Sequence, residues 1–280
     1  MSRLKVRQLP FRFDERTPYY WNLHNPYWGN AVNIVSMIGP AFERYFIKAI
    51  REAMPRITDA ALREDADLFC LQEGQHSKQH LAHMQALIKQ HPGLEQVRLQ
   101  VMASYEQLFA RESIEFHLAY AATVELAFGP IARFMVDNRE YLFRDCDNQI
   151  AALILWHFVE EFEHRNSAID VYKHLVGSYS KRMRMALRVV AHLKEVALIA
   201  QSGMSEHAPT LLWQGNTVHG GEAAGKIFKD IPFSNMMDFI WHLLCCQMPL
   251  HKPDRLKQPE WATRWLANEA AGHDMTIYVP

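Results

Sequence analysis

The chain has 280 residues, 49% of them hydrophobic, which is enough apolar material for one large core or two modest ones. Its formal net charge of −1 gives no overall field that would recruit nucleic acid or an anionic membrane, so we expect neither a nucleic-acid partner nor stable membrane insertion. The four cysteines form no CxxC pair, and the N-terminal segment lacks the apolar run of a signal peptide. Both features predict a cytoplasmic protein with reduced thiols.

The first part of the chain predicts an aromatic arm followed by a helix. Residues 1–28 combine prolines and aromatic rings without a helical period, so we expect an arm whose rings pack against the rest of the protein. From Ala31 to Met54, hydrophobic residues recur near every 3.6 positions, which predicts the first helix. Within it, Gly39-Pro40 predicts a kink or a restart.

Further helices are predicted downstream, between capping residues and helix breakers. They are a second helix from Thr58 or Asp59 to about Gln90, a crossing helix from Leu94 to Ala110, a third from about Ser113 to Val136, a fourth from Asp145 or Asp147 to about Val176, a fifth from Ser180 to Ser202 and a short one from about Ser234 to Cys246. No stretch alternates with a period of two, so we predict an all-α chain. We expect one domain over residues 1–280, with a bundle core at about 30–176, the fifth helix at 180–202 and a covering extension at 203–280.

Two Glu-x-x-His pairs stand on separate predicted helices. Glu73 and His76 lie on the second helix, and Glu161 and His164 lie on the fourth. Residues three apart project from one helix face. Two such pairs, with one glutamate from each of two further helices, form the carboxylate-bridged two-metal site of four-helix bundles. The alternative interpretation is that each pair is a solvated ion pair on a helix surface.

Single glutamates complete the predicted site. Glu125 is the only charged residue between Glu115 and Arg133, and a lone carboxylate in an apolar helix is costly unless it is paired or binds a metal. An arginine from elsewhere in the chain is the alternative partner. Glu43 is the only acid of the first helix before Glu52, and we expect it to be the ligand from that helix.

Three other residues extend this prediction. His80 and His157 share helix faces with the two pairs, so each is either an additional nitrogen ligand or a histidine of a polar inner layer next to the ligands. Asp170, about two turns beyond the second pair, is a candidate acceptor for the outer ring N–H of a ligand histidine. We interpret Glu160 and Glu163 as ordinary surface acids.

A family resemblance rests on these residues. Glu43, Glu73-x-x-His76, Glu125 and Glu161-x-x-His164 resemble the ferritin-like di-iron carboxylate superfamily over about residues 30–175. The segments AFERYF, WHxxEExEH and AxDVY are more closely similar to a bacterial ferritin-like family described as predicted metal-dependent hydrolases. The resemblance implies a ferritin-like four-helix bundle with added helices and a C-terminal extension. It also implies two iron ions, with manganese or a mixed manganese–iron pair as the alternative.

From this centre we predict an O₂-dependent di-iron oxidase or oxygenase. With O₂ as co-substrate and an external electron donor, it would hydroxylate, desaturate or N-oxygenate a small apolar or aromatic molecule. We expect the substrate pocket to be walled by Phe69, Tyr120, Phe128 and Phe158. The alternatives are a di-metal-dependent hydrolase, in which paired ions activate water, and a non-catalytic metal-binding or scaffold protein. A homodimer is also open.

Overall fold

The computed structural model describes residues 4–208 and 225–279, and these residues form helices and loops without a β-strand. The helices are α1 (Pro26–Ala53), α2 (Ala60–Gln90), α3 (Leu94–Arg111), α4 (Ile114–Asp137), α5 (Arg139–Leu142), α6 (Asn148–Glu163), α7 (Ser167–Leu175), α8 (Tyr179–His207), α9 (Phe233–Cys245) and α10 (Glu260–Ala270). The predicted all-α fold, a helical bundle with added helices, is therefore confirmed. Part of the predicted covering extension, residues 209–224, lies outside the described residues.

Short polar residues begin the helices that carry the site. The Asp59 side chain accepts hydrogen bonds from the backbone N–H groups of Ala61 and Leu62 and so caps α2. In the same way, Ser113 caps α4 and Asp147 caps α6. The caps fix the residue at which each helix begins, and this determines which of its side chains face inward.

One predicted feature of the helices is wrong, and at Gly39-Pro40 one of two predicted alternatives is excluded. The predicted fourth helix is two helices, because α6 ends at Glu163 and α7 begins at Ser167, and Ser167 N–H donates to the carbonyl oxygen of His164 at 2.8 Å. Asn166 and Ser167 favour turns and caps over helix interiors, which explains the break. In contrast, α1 runs through Gly39-Pro40 as one helix without a restart.

Four helices surround the centre of the bundle. Helix α1 packs along α2, and α4 packs on α6, while α1 also contacts α4 and α2 contacts α6. Helices α3 and α8 pack together on the outside of α1 and α4. Helix α9 contacts α4 on another side. The inner faces of α1, α2, α4 and α6 are thereby removed from water.

The N-terminal arm lies along α2 and is held there by glutamine side chains. The side-chain amide of Gln72 donates to the carbonyl oxygen of Lys5 at 3.0 Å, and that of Gln79 donates to Leu9 at 2.9 Å. The expected ordered arm is therefore present from residue 4 onward, and it covers the helix that carries the first Glu-x-x-His pair. None of the described helices is both long and apolar enough to cross a membrane.

Candidate metal centre

The six predicted ligands lie together in the middle of the bundle, and each has at most 1% of its surface exposed. They are Glu43 on α1, Glu73 and His76 on α2, Glu125 on α4, Glu161 on α6 and His164 at the end of α6. His80 and His157 also face this centre, where their ligand atoms lie within 4.8 Å of those of Glu43. That these side chains bind metal remains a prediction.

One side of the centre is rich in carboxylates. The Nε2 atom of His164 lies 3.0 Å from Oε2 of Glu161, 3.2 Å from Oε1 of Glu73 and 3.5 Å from Oε2 of Glu125. Three acids from three helices therefore converge on one imidazole nitrogen. A divalent cation among these four groups would find oxygen and nitrogen donors together.

The other side is richer in nitrogen. The Nδ1 atom of His76 lies 3.7 Å from Oε1 of Glu73 and 3.6 Å from Oε1 of Glu161. The Nε2 atom of His157 lies 2.8 Å from the same oxygen of Glu161, and its Nδ1 atom is 3.9 Å from Oε1 of Glu43. Glu73 and Glu161 thus face both sides, as bridging carboxylates would.

Buried oxygen atoms without partners show that cations fit this donor set. Within the described residues, neither carboxylate oxygen of Glu43, Glu73 or Glu125 accepts a hydrogen bond, and Nδ1 of His76 is also unpartnered. Buried polar groups are normally hydrogen-bonded, and an unpaired buried carboxylate costs several kcal/mol. Metal ligation would satisfy these atoms, and the residues present have the chemistry for it.

The charges of the centre are unevenly distributed in the absence of cations. Burial, and then the negative charge of Glu161, raises the pKa values of Glu43, Glu73 and Glu125 well above the ordinary 4.5. Burial opposes ionisation of Glu161 too, but His164 and His157 lower its pKa to about 2. The pKa of His164 rises to about 9, because the attraction of Glu161 outweighs its burial. In the absence of cations, burial and the charge of Glu161 therefore disfavour ionisation of these three carboxyl groups, while Glu161 and His164 favour each other's charged forms.

The outer ring nitrogens of the histidines have defined partners. Nδ1 of His164 donates to Oε1 of Gln72 at 3.1 Å, which leaves Nε2 for the centre. Nε2 of His76 lies 3.0 Å from Oε2 of Glu160. Such outer contacts orient ligand histidines in metal sites.

The interpretation of Glu160 as a surface acid is wrong. Its side chain is fully buried, and Oε1 accepts a hydrogen bond from Nη1 of Arg7 at 2.9 Å. Burial raises the pKa of Glu160 to about 7, although Arg7 opposes the rise. The lone-charge reasoning applied to Glu125 could not identify it, because Glu161 and Glu163 are charged neighbours on the same helix. The partner Arg7 has no signal in local spacing.

The prediction for Asp170 is wrong. Its side chain is 40% exposed and accepts an ion-paired hydrogen bond from Lys173 at 3.1 Å. The position expected for it beside His164 is occupied by Gln72. The reason is the break between α6 and α7, which ends the helical register on which the prediction depended.

The predicted wall residues divide into two groups. The ring of Phe69 meets His164 edge-on at 5.0 Å between centroids, while Phe158 and Phe128 lie 5.3 and 6.5 Å from the ring of His157. These three phenylalanines border the centre. Tyr120 instead packs toward α8, where its hydroxyl lies 3.0 Å from Nδ1 of His192. That these residues bind a substrate remains a prediction.

Comparison with known proteins places the sequence in one family. Residues 5–240 match the model of a family described as predicted metal-dependent hydrolase. No curated protein and no solved structure matches the chain. The family description agrees with the buried His/Glu clusters, which are candidate metal-binding groups.

This finding contradicts the prediction of an O₂-dependent di-iron oxidase or oxygenase and agrees with the alternative of a metal-dependent hydrolase. The prediction assumed one histidine for each metal in a carboxylate-rich site. The structure gathers four histidines with four glutamates, and such a mixed set of oxygen and nitrogen donors suits either chemistry. Donor type was therefore a weak basis for choosing redox chemistry over hydrolysis.

Proposed function

The chain belongs to the family of predicted metal-dependent hydrolases, and we propose that it hydrolyses its substrate at two adjacent cations held in the middle of the bundle. The observation that carries this proposal is the set of buried glutamate oxygens that accept no hydrogen bond from the described residues. Buried polar atoms normally have hydrogen-bond partners, so several carboxyl oxygens without one in a single place favour cation binding. Two divalent cations would balance them.

We assign the donors to two positions by their distances. Glu125 and His164 belong to the first position, and Glu43 and His76 belong to the second. Glu73 and Glu161 face both groups and would bridge them. Mixed oxygen and nitrogen donors suit iron, manganese and zinc. When bound, a cation pair supplies Lewis-acid activation of water and stabilises the leaving oxygen.

His157 is the residue that we assign to proton transfer. Its Nδ1 atom lies 2.7 Å from Nε2 of His80, a distance at which the two rings share one proton, and its Nε2 atom faces Glu161 at 2.8 Å. An imidazole whose Nε2–H faces the centre and whose Nδ1 faces a second imidazole can give a proton at Nε2 to a leaving group and take one up at Nδ1. The alternative is that His157 or His80 is an additional ligand of the second cation. It predicts that substitution of His157 removes metal.

Metal analysis of the purified chain tests the centre. We expect about two divalent cations per chain, and we expect Glu161→Ala and His76→Ala each to remove at least one. Glu52→Ala is a matched control, because Glu52 is an acid on α1 with an exposed side chain. A chain that binds no divalent cation, with unchanged folding of the variants, would contradict the proposal.

Hydrolytic activity is tested separately, with chromogenic carboxylic and phosphate esters as probes. Turnover should vanish on chelation and return on addition of a divalent cation. His157→Gln should retain the cations and lose turnover by about 100-fold or more, as expected on removal of a group that transfers protons. If His157→Gln instead loses a cation, the residue is a ligand and the proton-transfer assignment is wrong.

A further inference from the structure

We infer that Arg7 and Glu160 are positioning residues that determine which ring nitrogen of His76 faces the cations. This inference rests on the proposed metal centre and adds to it a control of ligand orientation from the N-terminal arm. The three side chains form one buried chain of contacts, from the guanidinium through the carboxylate to the imidazole. Arg7 Nη1 lies 2.9 Å from Oε1 of Glu160, and Oε2 of Glu160 lies 3.0 Å from Nε2 of His76.

The direction of the second contact determines the tautomer of His76. Arg7 donates a hydrogen bond to Oε1 of Glu160 and so favours its carboxylate form. A carboxylate only accepts hydrogen bonds, so the ring proton of neutral His76 is on Nε2. Its lone pair is then on Nδ1, the atom that lies 3.6 Å from Glu161 and 3.7 Å from Glu73 and has no hydrogen-bond partner among the described residues. Only this tautomer lets His76 act as a ligand toward the centre.

Arg7 is itself held in place on several sides. Its guanidinium contacts Glu163 through Nη1 at 2.5 Å and Nη2 at 3.1 Å, and its Nε atom lies 3.3 Å from Glu269 on α10. Its Cζ atom also lies 5.8 Å from the ring centroid of Trp265. The arm, α6 and α10 therefore fix the guanidinium at a defined point next to Glu160, so that this carboxylate cannot turn away from His76.

Anchoring of the arm is the competing role for this ion pair, and the structure offers a control that separates the two roles. Glu160 and Glu163 both bind Arg7, but only Glu160 also contacts His76. If the ion pairs serve only to anchor the arm, removal of Glu160 and removal of Glu163 should change metal binding equally. If Glu160 positions His76, its removal alone changes metal binding.

The first experiment is titration of Co²⁺ into metal-free wild type, Glu160→Ala and Glu163→Ala at about pH 8. We expect Glu160→Ala to weaken one of the two cation sites by about 10- to 100-fold, as for other outer partners of ligand histidines. Glu163→Ala should stay within about twofold of wild type, because Glu160 and Glu269 still hold the guanidinium next to His76. Equal losses in the two variants would overturn the inference, whereas a wild type that binds no Co²⁺ would instead refute the proposed centre.

The second experiment keeps the shape of the side chain. In Glu160→Gln the amide oxygen is drawn to Arg7, so the amide N–H₂ faces Nε2 of His76 and favours the proton on Nδ1. In metal-free protein labelled with ¹⁵N-histidine, the ring-nitrogen shifts of His76 should therefore report the Nε2–H tautomer in wild type and the Nδ1–H tautomer in Glu160→Gln. This readout needs no metal and survives a failure of the proposed function. The Nδ1–H tautomer in wild type, or no change in the variant, would overturn the inference.

The part of Arg7 is tested by the double variant Arg7→Met with Glu160→Gln. Without the guanidinium, the amide is free to turn its oxygen toward His76, so Co²⁺ affinity should recover relative to Glu160→Gln alone. Loss of the arm contact would lower affinity further instead, and that result would overturn the assignment of Arg7. Circular dichroism of each variant confirms that the helices are retained.

Discussion

Oε1 of Gln72 accepts a hydrogen bond from Nδ1 of His164 at 3.1 Å, while the amide nitrogen of the same side chain donates to the carbonyl oxygen of Lys5 at 3.0 Å. The amide therefore connects the N-terminal arm to the second Glu-x-x-His pair. Because Nδ1 keeps its proton in this hydrogen bond, Nε2 is the nitrogen that can lose its proton to a cation, and it is the atom that Glu73, Glu125 and Glu161 surround.

The first prediction concerns Gln72→Ala. Loss of the amide frees the His164 ring to rotate and to change tautomer, so cation affinity should fall by about 10- to 100-fold. Gln79→Ala is the matched control, since Gln79 lies on the same helix and donates a hydrogen bond to Leu9 of the same arm rather than to a predicted ligand. Isothermal titration calorimetry with a divalent cation measures the affinity of each variant. Equal affinity in the two variants would mean that Gln72 serves only to hold the arm.

The second prediction concerns the stability of the metal-free protein with Glu125→Gln. Burial and the charge of Glu161 raise the pKa of Glu125 in the folded state, so the folded protein holds a proton that the unfolded chain loses above about pH 4.5. The stability that this group contributes is full below that pH and is lost as the pH rises toward the folded-state pKa. A glutamine is neutral at every pH, so the variant does not lose this stability as the pH rises. We therefore expect the variant to be more stable than the wild type, by a margin that grows with pH.

Urea denaturation in the presence of a chelator, repeated between about pH 5 and pH 8, measures this margin. With cations present, the order should reverse, because the wild type alone gains the full free energy of metal binding. A margin that shrinks as the pH rises would show that Glu125 is ionised and paired in the metal-free protein.

Lone charges in apolar helices made much of the centre predictable. Glu125 stands among apolar neighbours, and the two Glu-x-x-His pairs have a spacing that places both members on one helix face. Helix starts such as Asp59 followed from cap chemistry. These signals act within one helix or one turn, and a single sequence carries them directly.

Contacts between remote segments were not predictable in this way. Arg7 and Glu160 are 153 positions apart, and Gln72 and His164 are 92 apart, so no local spacing relates them. The break after His164 was also not predicted. The assumption of one continuous helix therefore wrongly placed Asp170 next to a ligand. The choice of chemistry also failed, since one donor set suits both hydrolysis and oxygen activation.

The third prediction is the cost of removing the ring next to His164. Phe69 is fully buried and packs edge-on against that imidazole at 5.0 Å. Phe69→Ala should lower the free energy of unfolding by about 3–5 kcal/mol, because a cavity replaces the ring. Phe233→Ala is the control: this ring on α9 is 80% exposed, and its loss should cost about 0.5 kcal/mol or less. Chemical denaturation of the metal-free variants measures both, and similar values for the two would contradict the described packing.

The fourth prediction is that cation binding releases protons. Burial, reinforced by Glu161, raises the pKa values of Glu43, Glu73 and Glu125, and Glu161 raises that of His164 to about 9 against its burial. All four groups must lose their protons to act as ligands. Binding near neutral pH should therefore release protons, and affinity should increase with pH.

Calorimetric titrations in two buffers of different ionisation enthalpy measure this release, since each proton taken up by the buffer adds that buffer's enthalpy to the observed heat. Glu43→Gln should release fewer protons than the wild type while losing affinity, because one protonated ligand is gone. Glu52→Ala, which changes an exposed acid on the same helix, should leave the proton count unchanged. Identical heats in both buffers would mean that binding releases no protons, and that the carboxyl groups and His164 are already deprotonated before the cations arrive.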